Sequence, residues 1–181
     1  MKDELRHKLK VKRRYFQGVQ RDYADEVILH GFMSAYSGYT SFFIYNSFNG
    51  EADTSGIISA LLAEGKKVYL PRVEGENIVV VAYGQTEKGA FGIDEPVGQA
   101  YLGDIDVTVI PLLAVNLKGY RIGYGKGFYD RFLKNRWTLK VGLGYSFQIE
   151  DFNEDVWDEP IDEFLTEKGI YRFEKQRKET E

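Results

Sequence analysis

The sequence predicts an α/β fold in which a largely parallel sheet is covered on both faces. Three observations carry this. Short apolar runs of strand length alternate with stretches of helical periodicity along the chain. The run Thr40–Tyr45 (T-S-F-F-I-Y) is apolar nearly throughout instead of alternating, which suits a strand buried on both sides. The run 77–83 (N-I-V-V-V-A-Y) has no room before it for a crossover helix, so one antiparallel pair is expected.

At 181 residues one domain is expected, over 1–173, followed by a charged, frayed tail over 174–181. The net charge of −4 argues against a broad nucleic-acid footprint. The chain has no cysteine, which removes disulfides, thiolate catalysis and Cys-bound zinc, and suits a cytoplasmic location. His7 and His30 are the only histidines, too few for a His-rich metal site. The charged start M-K-D-E-L-R has no apolar core of a signal peptide, and no run reaches the roughly 18 apolar residues of a membrane span.

In chain order, residues 2–17 carry Leu5, Leu9 and Phe16 at near-helical spacing, with Lys2, Arg6, Arg13 and Arg14 assigned to the polar side. Gly18 breaks that helix, and 20–36 forms a second with Val27, Ile28 and Phe32 inward. The strand 40–45 ends in N-S-F-N-G-E-A-D-T-S-G, a loop at the carboxyl end of a strand, where ligands bind in open α/β sheets. Asn46 and Glu51 stand in it. Taken alone, Glu51 is a surface turn carboxylate. Asp53 or Thr54 caps a helix over Ser55–Glu64, which Gly65 closes. A strand at Lys67–Leu70 is expected to stop at Pro71, and 84–96 to form a long loop without regular structure. Strands follow at Ile105–Pro111, Leu139–Gly144 and Phe164–Thr166, and Ile170–Phe173 extends or pairs with the last. The acidic run 150–163 is mostly solvated charge.

The most informative stretch is Gly119–Leu133, G-Y-R-I-G-Y-G-K-G-F-Y-D-R-F-L. Gly123, Gly125 and Gly127 alternate, and Phe128, Phe132 and Leu133 begin a helix at once. A glycine turn leading into a helix is a layout that holds phosphate. Arg121, Lys126 and Arg131 supply positive charge, and Asp130 stands where a phosphate-bound Mg²⁺ would be held. The spacing matches neither a Walker A loop nor a dinucleotide fingerprint.

This stretch resembles the central signature of the 5-formyltetrahydrofolate cyclo-ligase family, also called 5,10-methenyltetrahydrofolate synthetases. The resemblance extends in family order through K-D-E-L-R (2–6), N-G-E-A-D-T (49–54), Y-L-P-R (69–72), G-A-F-G-I-D-E-P (89–96), G-Y-S-F-Q (144–148) and W-D-E-P-I-D-E-F-L-T-E (157–167). It implies a three-layer α/β/α Rossmann-like sandwich with a mostly parallel sheet, of the architecture shared with sugar-phosphate isomerases and CoA transferases. It also implies a cytoplasmic enzyme, a monomer or weak homodimer acting on small molecules, with no nucleic-acid or membrane partner.

The implied reaction is cyclisation of 5-formyltetrahydrofolate to 5,10-methenyltetrahydrofolate with ATP and Mg²⁺, through a phosphorylated formyl group. The resemblance carries ATP contacts onto Lys2, Asp3, Glu4, Leu5, Arg6, Arg121, Ile122, Gly123, Tyr124, Gly125, Lys126, Gly127, Phe128 and Tyr129. Lys126 and Arg121 are the implied catalytic groups. Folate contacts fall on Asn46, Glu51 and Tyr124 to Phe128, and the Mg²⁺ carboxylates on Asp130 and Asp158. Arg13 and Arg14 remain solvated charges. Lys126 stands where many members have glycine, although lysine also occurs there, and two further positions depart from the family's usual pattern: Asn116 stands where Asp is frequent, and Trp157 where His is frequent. They motivate an alternative, a non-catalytic nucleotide- and folate-binding protein on the same scaffold.

Overall fold

The structure is a computed structural model that describes residues 1–174. All but the first residue of the expected tail lies outside the described residues. The helices are α1 (Lys2–Tyr15), α2 (Val19–Tyr36), α3 (Ser55–Ala63) and α4 (Phe128–Leu133). The strands are β1 (Ser41–Ile44), β2 (Lys67–Glu74), β3 (Asn77–Ala82), β4 (Thr86–Lys88), β5 (Asp94–Pro96), β6 (Val107–Ile110), β7 (Ala114–Val115), β8 (Arg121–Ile122), β9 (Leu139–Leu143), β10 (Glu163–Thr166) and β11 (Gly169–Arg172). No described helix is long and apolar enough to cross a membrane.

Each run expected as a strand enters one seven-stranded sheet of order β11-β10-β9-β6-β1-β2-β3. The inner pairs are parallel, and β3 and β11 close the two edges antiparallel. The α/β class is therefore as expected. Consecutive side chains of a strand face opposite ways, so Phe42 and Ile44 pack with Phe32 of α2 and Ile57 of α3, while Phe43 packs with Phe132 and Leu133 of α4. A third, smaller cluster joins Leu9 of α1 to Ala114, Ile122 and Phe152.

The strand order places a switch point between β1 and β6. The chain runs outward from β1 through β2 to β3, then returns to β6 and runs outward the other way. Loops leaving the carboxyl ends of two strands at such a point diverge and leave a crevice. Here they are the 45–54 loop after β1 and the segment after β6 that carries β7, β8 and the glycine loop.

Two local expectations need correction. Pro71 does not stop its strand: β2 runs on to Glu74. Tyr83 N donates to Val68 O, which makes Tyr69–Ala82 and, two residues on, Pro71–Val80 non-hydrogen-bonded pairs. The nitrogen of Pro71 thus faces away from β3, on the side where pairing with β1 has already ended at Tyr69, and no ladder bond is lost. The segment 84–96 is not formless, because β4 and β5 pair as an antiparallel hairpin. Arg72 holds it through the carbonyls of Pro96 and Gly98, and Glu95 accepts from Val73 N. The Glu95 carboxyl occupies the space a Cβ on Gly89 would need. A second short hairpin, β7–β8, also escaped the sequence reading. The Gln148 amide braces it by donating to the carbonyls of Leu112 and Leu113.

Gly142, mid-strand in β9, sits under a full core. A Cβ there would lie 2.7 Å from Leu112 Cδ2 and 2.8 Å from Ile161 Cδ1. Gly142→Ala is expected to lower stability by about 1–3 kcal/mol through overpacking, read as a lower midpoint in denaturant melts at unchanged slope.

Candidate active site

α1 lies along the glycine loop and sends one face into the crevice. Lys2, Arg6, Leu9 and Arg13 are spaced by four, three and four residues, so they line one side of the helix. Lys2 Nζ reaches Asp155 and, at 2.9 Å, Asp158. Arg6 Nε donates to Gly123 O at 3.0 Å. Arg13 donates to the Tyr124 hydroxyl at 2.9 Å and to Asn49 O. Arg13 is therefore not a solvated charge: it is 3% exposed, while Arg14 does stay in solvent. Its place on the Leu5–Leu9 stripe was the overlooked signal, since a cation at an apolar-stripe position has to meet something inside.

At one end of the crevice stands Glu51. Asn49 and Gly50 both take positive φ, 55° and 81°, in a tight turn. A Cβ at Gly50 would touch Arg13 at ordinary contact distance, so it is the positive φ that calls for glycine. The turn brings Glu51 back under the loop, 8% exposed. Its Oε2 accepts from Phe48 N at 2.8 Å and its Oε1 from the Tyr124 hydroxyl at 2.7 Å. Burial pushes the Glu51 carboxyl above the ordinary carboxylate range, opposed by those two hydrogen bonds and by the charge of Arg13. Burial beside Glu51 likewise raises the Tyr124 phenol. Behind the loop, Arg21 donates to Glu51 O and to the Tyr145 hydroxyl, which in turn donates to Asp25. Asn46 sits at the rim and donates to Asp94 O of the β4–β5 hairpin.

At the other end stands Arg121, delivered by β8 and 6% exposed. Its guanidinium donates to Asp130 Oδ1 at 3.0 Å and lies 5.8 Å from the Tyr129 ring centre. Its Nε is buried with no hydrogen-bond partner among the described residues. Burial pushes this guanidinium below its usual pKa, with Asp130, Tyr129, Asp158 and Glu159 opposing. Glu159 N also donates to Asp130. For Lys2, burial works against the ammonium, but Asp155 and Asp158 outweigh it and hold its pKa above the ordinary value.

Between the ends runs the glycine loop. Gly125 and Gly127 take φ of 94° and 67°, where other residues are strained. Gly123 does not, so only two of the three glycines are required by backbone conformation. The Cα of Gly125 lies against the Arg6 guanidinium. Lys126 is exposed, with Nζ 5.4 Å from the Phe91 ring centre of the β4–β5 connection. α4 spans only six residues, so its dipole alone is a weak anion site. The loop's cations matter more.

The fold thus gathers Lys2, Arg6, Glu51, Arg121, Ile122, Gly123, Tyr124, Gly125, Lys126, Gly127, Phe128, Tyr129, Asp130 and Asp158 around α1 and one loop. The side chains of Asp3 and Glu4 turn to solvent, on Arg6 and the N-terminus respectively, and Leu5 packs near Ile122. No group of three or more metal-ligating side chains occurs among the described residues. Asp130 and Asp158 are two carboxylates beside Arg121, and Mg²⁺ takes one or two carboxylates when phosphates and water supply the rest. Such a donor set fits Mg²⁺ only together with a phosphate-bearing ligand.

Comparisons with known proteins converge. The sequence model of the 5-formyltetrahydrofolate cyclo-ligase family matches residues 1–167. The 5-formyltetrahydrofolate cyclo-ligase of Haemophilus influenzae is 35% identical over 137 residues, 67% of this chain and 73% of its own. That of Escherichia coli K12 is 32% identical over 145 residues, 72% of this chain and 79% of its own. The solution structure of Aquifex aeolicus 5,10-methenyltetrahydrofolate synthetase superposes with a TM-score of 0.86 at 35% identity, covering 99% of this chain and 96% of the other. The Mycoplasma pneumoniae synthetase has the same fold, with a TM-score of 0.75 at 23% identity over 92% of this chain and 98% of the other.

Proposed function

The chain belongs to the 5-formyltetrahydrofolate cyclo-ligase family, and we propose that it closes 5-formyltetrahydrofolate to 5,10-methenyltetrahydrofolate at the expense of ATP. One observation supports this reading above the others. A single glycine loop joins a buried, incompletely satisfied guanidinium, Arg121, to a buried carboxylate, Glu51. One ligand end is anionic and the other carries N–H donors, as a nucleotide and a pterin do.

In this reading Lys2, Arg6 and Arg121 meet the ATP phosphates, with the Arg6 guanidinium beside Gly125 and that of Arg131 beside Gly127. Asp130 and Asp158 would hold Mg²⁺, which would neutralise phosphate charge. Glu51 accepts from the pterin amino and ring N–H groups, with Asn46 at the rim. The formyl oxygen attacks the γ-phosphorus and the bond to ADP breaks. The N-10 amine then adds to the activated formyl carbon and loses its proton. The carbon–oxygen bond breaks, and phosphate departs carrying the formyl oxygen. No protein nucleophile is needed. The chain orients the two ligands and stabilises transferring charge, Arg121 and Lys126 above all.

The departures that motivate a non-catalytic reading do not reach these groups. Asn116 is spent on the β7–β8 turn: its Oδ1 accepts from Lys118 N and Tyr120 N, and its Nδ2 donates to Phe152 O. Trp157 is 70% exposed, and its neighbour Asp158 keeps its contact with Lys2. The test mixes protein, 5-formyltetrahydrofolate and Mg²⁺ with and without ATP. A methenyl absorbance that grows only with ATP is expected. Binding of both ligands with no product would favour the non-catalytic reading.

A further inference from the structure

We propose that Arg13 is a positioning residue for substrate recognition: its guanidinium fixes the Tyr124 phenol as a donor to Glu51 and is the countercharge of that solvent-excluded carboxylate. The inference rests on the reading that Glu51 contacts the pterin.

The hydrogen bonds set the direction. A guanidinium has only donors to offer, so the Tyr124 oxygen accepts from Arg13 and its single proton goes to Glu51 Oε1. A second arm of the fork donates to Asn49 O and holds the turn that carries Glu51. Arg13 thus fixes both the carboxylate's loop and its phenolic partner without an ion-pair contact to Glu51 itself. Its Nε packs beside Gly50 with no hydrogen-bond partner among the described residues, and Gly50 itself takes a φ of 81° that favours glycine.

The groups facing Glu51 from the surrounding elements leave Arg13 as the countercharge. Tyr45 at the end of β1, Tyr124 of the glycine loop and Tyr129 of α4 are phenols, all driven upward in pKa by burial and by Glu51. Arg21 of α2 is engaged by the Glu51 backbone carbonyl, Tyr145 and Asp25. Burial raises the Glu51 pKa, and Arg13 is the cation that opposes it. Folate recognition by an ionised Glu51 should therefore weaken as pH falls, and loss of the Arg13 charge should move that weakening to higher pH.

The test uses the whole chain as Arg13→Gln and Arg13→Lys. In each, the Glu51 carboxyl is titrated by ¹³C NMR in the ligand-free protein, and KM for 5-formyltetrahydrofolate and for ATP is measured against pH. Arg13→Gln should move the Glu51 midpoint up, and the acid limb of folate binding should follow, with ATP KM little changed. Arg13→Lys keeps the charge but loses the fork, so the limb should stay in place while folate KM rises severalfold. That variant carries the test alone if Arg13→Gln does not fold. An unmoved midpoint in Arg13→Gln, a shifted limb in Arg13→Lys, or equal effects on both substrates would overturn the inference. A moved midpoint with unchanged folate binding would uphold the Arg13–Glu51 coupling and remove Glu51 from the substrate site.

Discussion

Arg121→Met is expected to lower kcat by about a hundred- to a thousandfold while 5-formyltetrahydrofolate still binds. Deleting one preorganised donor aimed at developing charge costs about that much in other enzymes. Arg121 is well suited to such a role. It is nearly dry, so its interaction with an anion is little screened. It is held by Asp130, and it retains a buried Nε donor without a partner among the described residues. Arg121→Lys should recover only part of the loss, because an ammonium cannot reproduce a planar fork that meets Asp130 and a phosphate together. Steady-state rates at saturating folate, with melting curves to confirm folding, decide the matter. A variant with native rates would remove Arg121 from the reacting phosphate.

Glu51→Gln is expected to raise the KM for folate by about ten- to a hundredfold, with a much smaller effect on ATP. A hydrogen bond to a charged group contributes about 1.5–3 kcal/mol. The amide can still accept from Phe48 N, but it presents an NH₂ group where a carboxylate oxygen takes the Tyr124 proton. The pH dependence has a definite sign. Burial raises the Glu51 pKa, so the ionised, binding form is lost as pH falls through that raised value. Wild-type affinity for folate should decline toward acid pH earlier than an ordinary carboxylate would dictate, and the glutamine variant should lack that limb. Equal increases in both KM values would place Glu51 outside the folate site.

The strands of the main sheet were legible because each carries a short, mostly apolar run close to turn residues, even where a Lys, Thr or Gly interrupts it. The two small hairpins were not. β4 (T-E-K) and β5 (D-E-P) show no apolar alternation, and tertiary contacts of Arg72 and Glu95 hold them in place. β7–β8 is two residues a side and depends on Asn116 and Gln148. Pro71 misled because a non-hydrogen-bonded register cannot be read from one strand alone. The candidate site was legible at the glycine loop, where composition is unusual. Glu51 looked like an ordinary turn carboxylate until the family resemblance singled it out, because its burial depends on α1 and Tyr124, far away in sequence. Arg13 was missed for the same reason, although its register with Leu5 and Leu9 already placed it on the inner stripe.

The most direct test of phosphoryl activation is the fate of the formyl oxygen. With 5-formyltetrahydrofolate carrying ¹⁸O in the formyl group, the phosphate released in a single turnover should carry one ¹⁸O for each methenyl product formed, read by mass spectrometry. Unlabelled phosphate, with the label appearing in water instead, would contradict the account and separate ATP cleavage from ring closure.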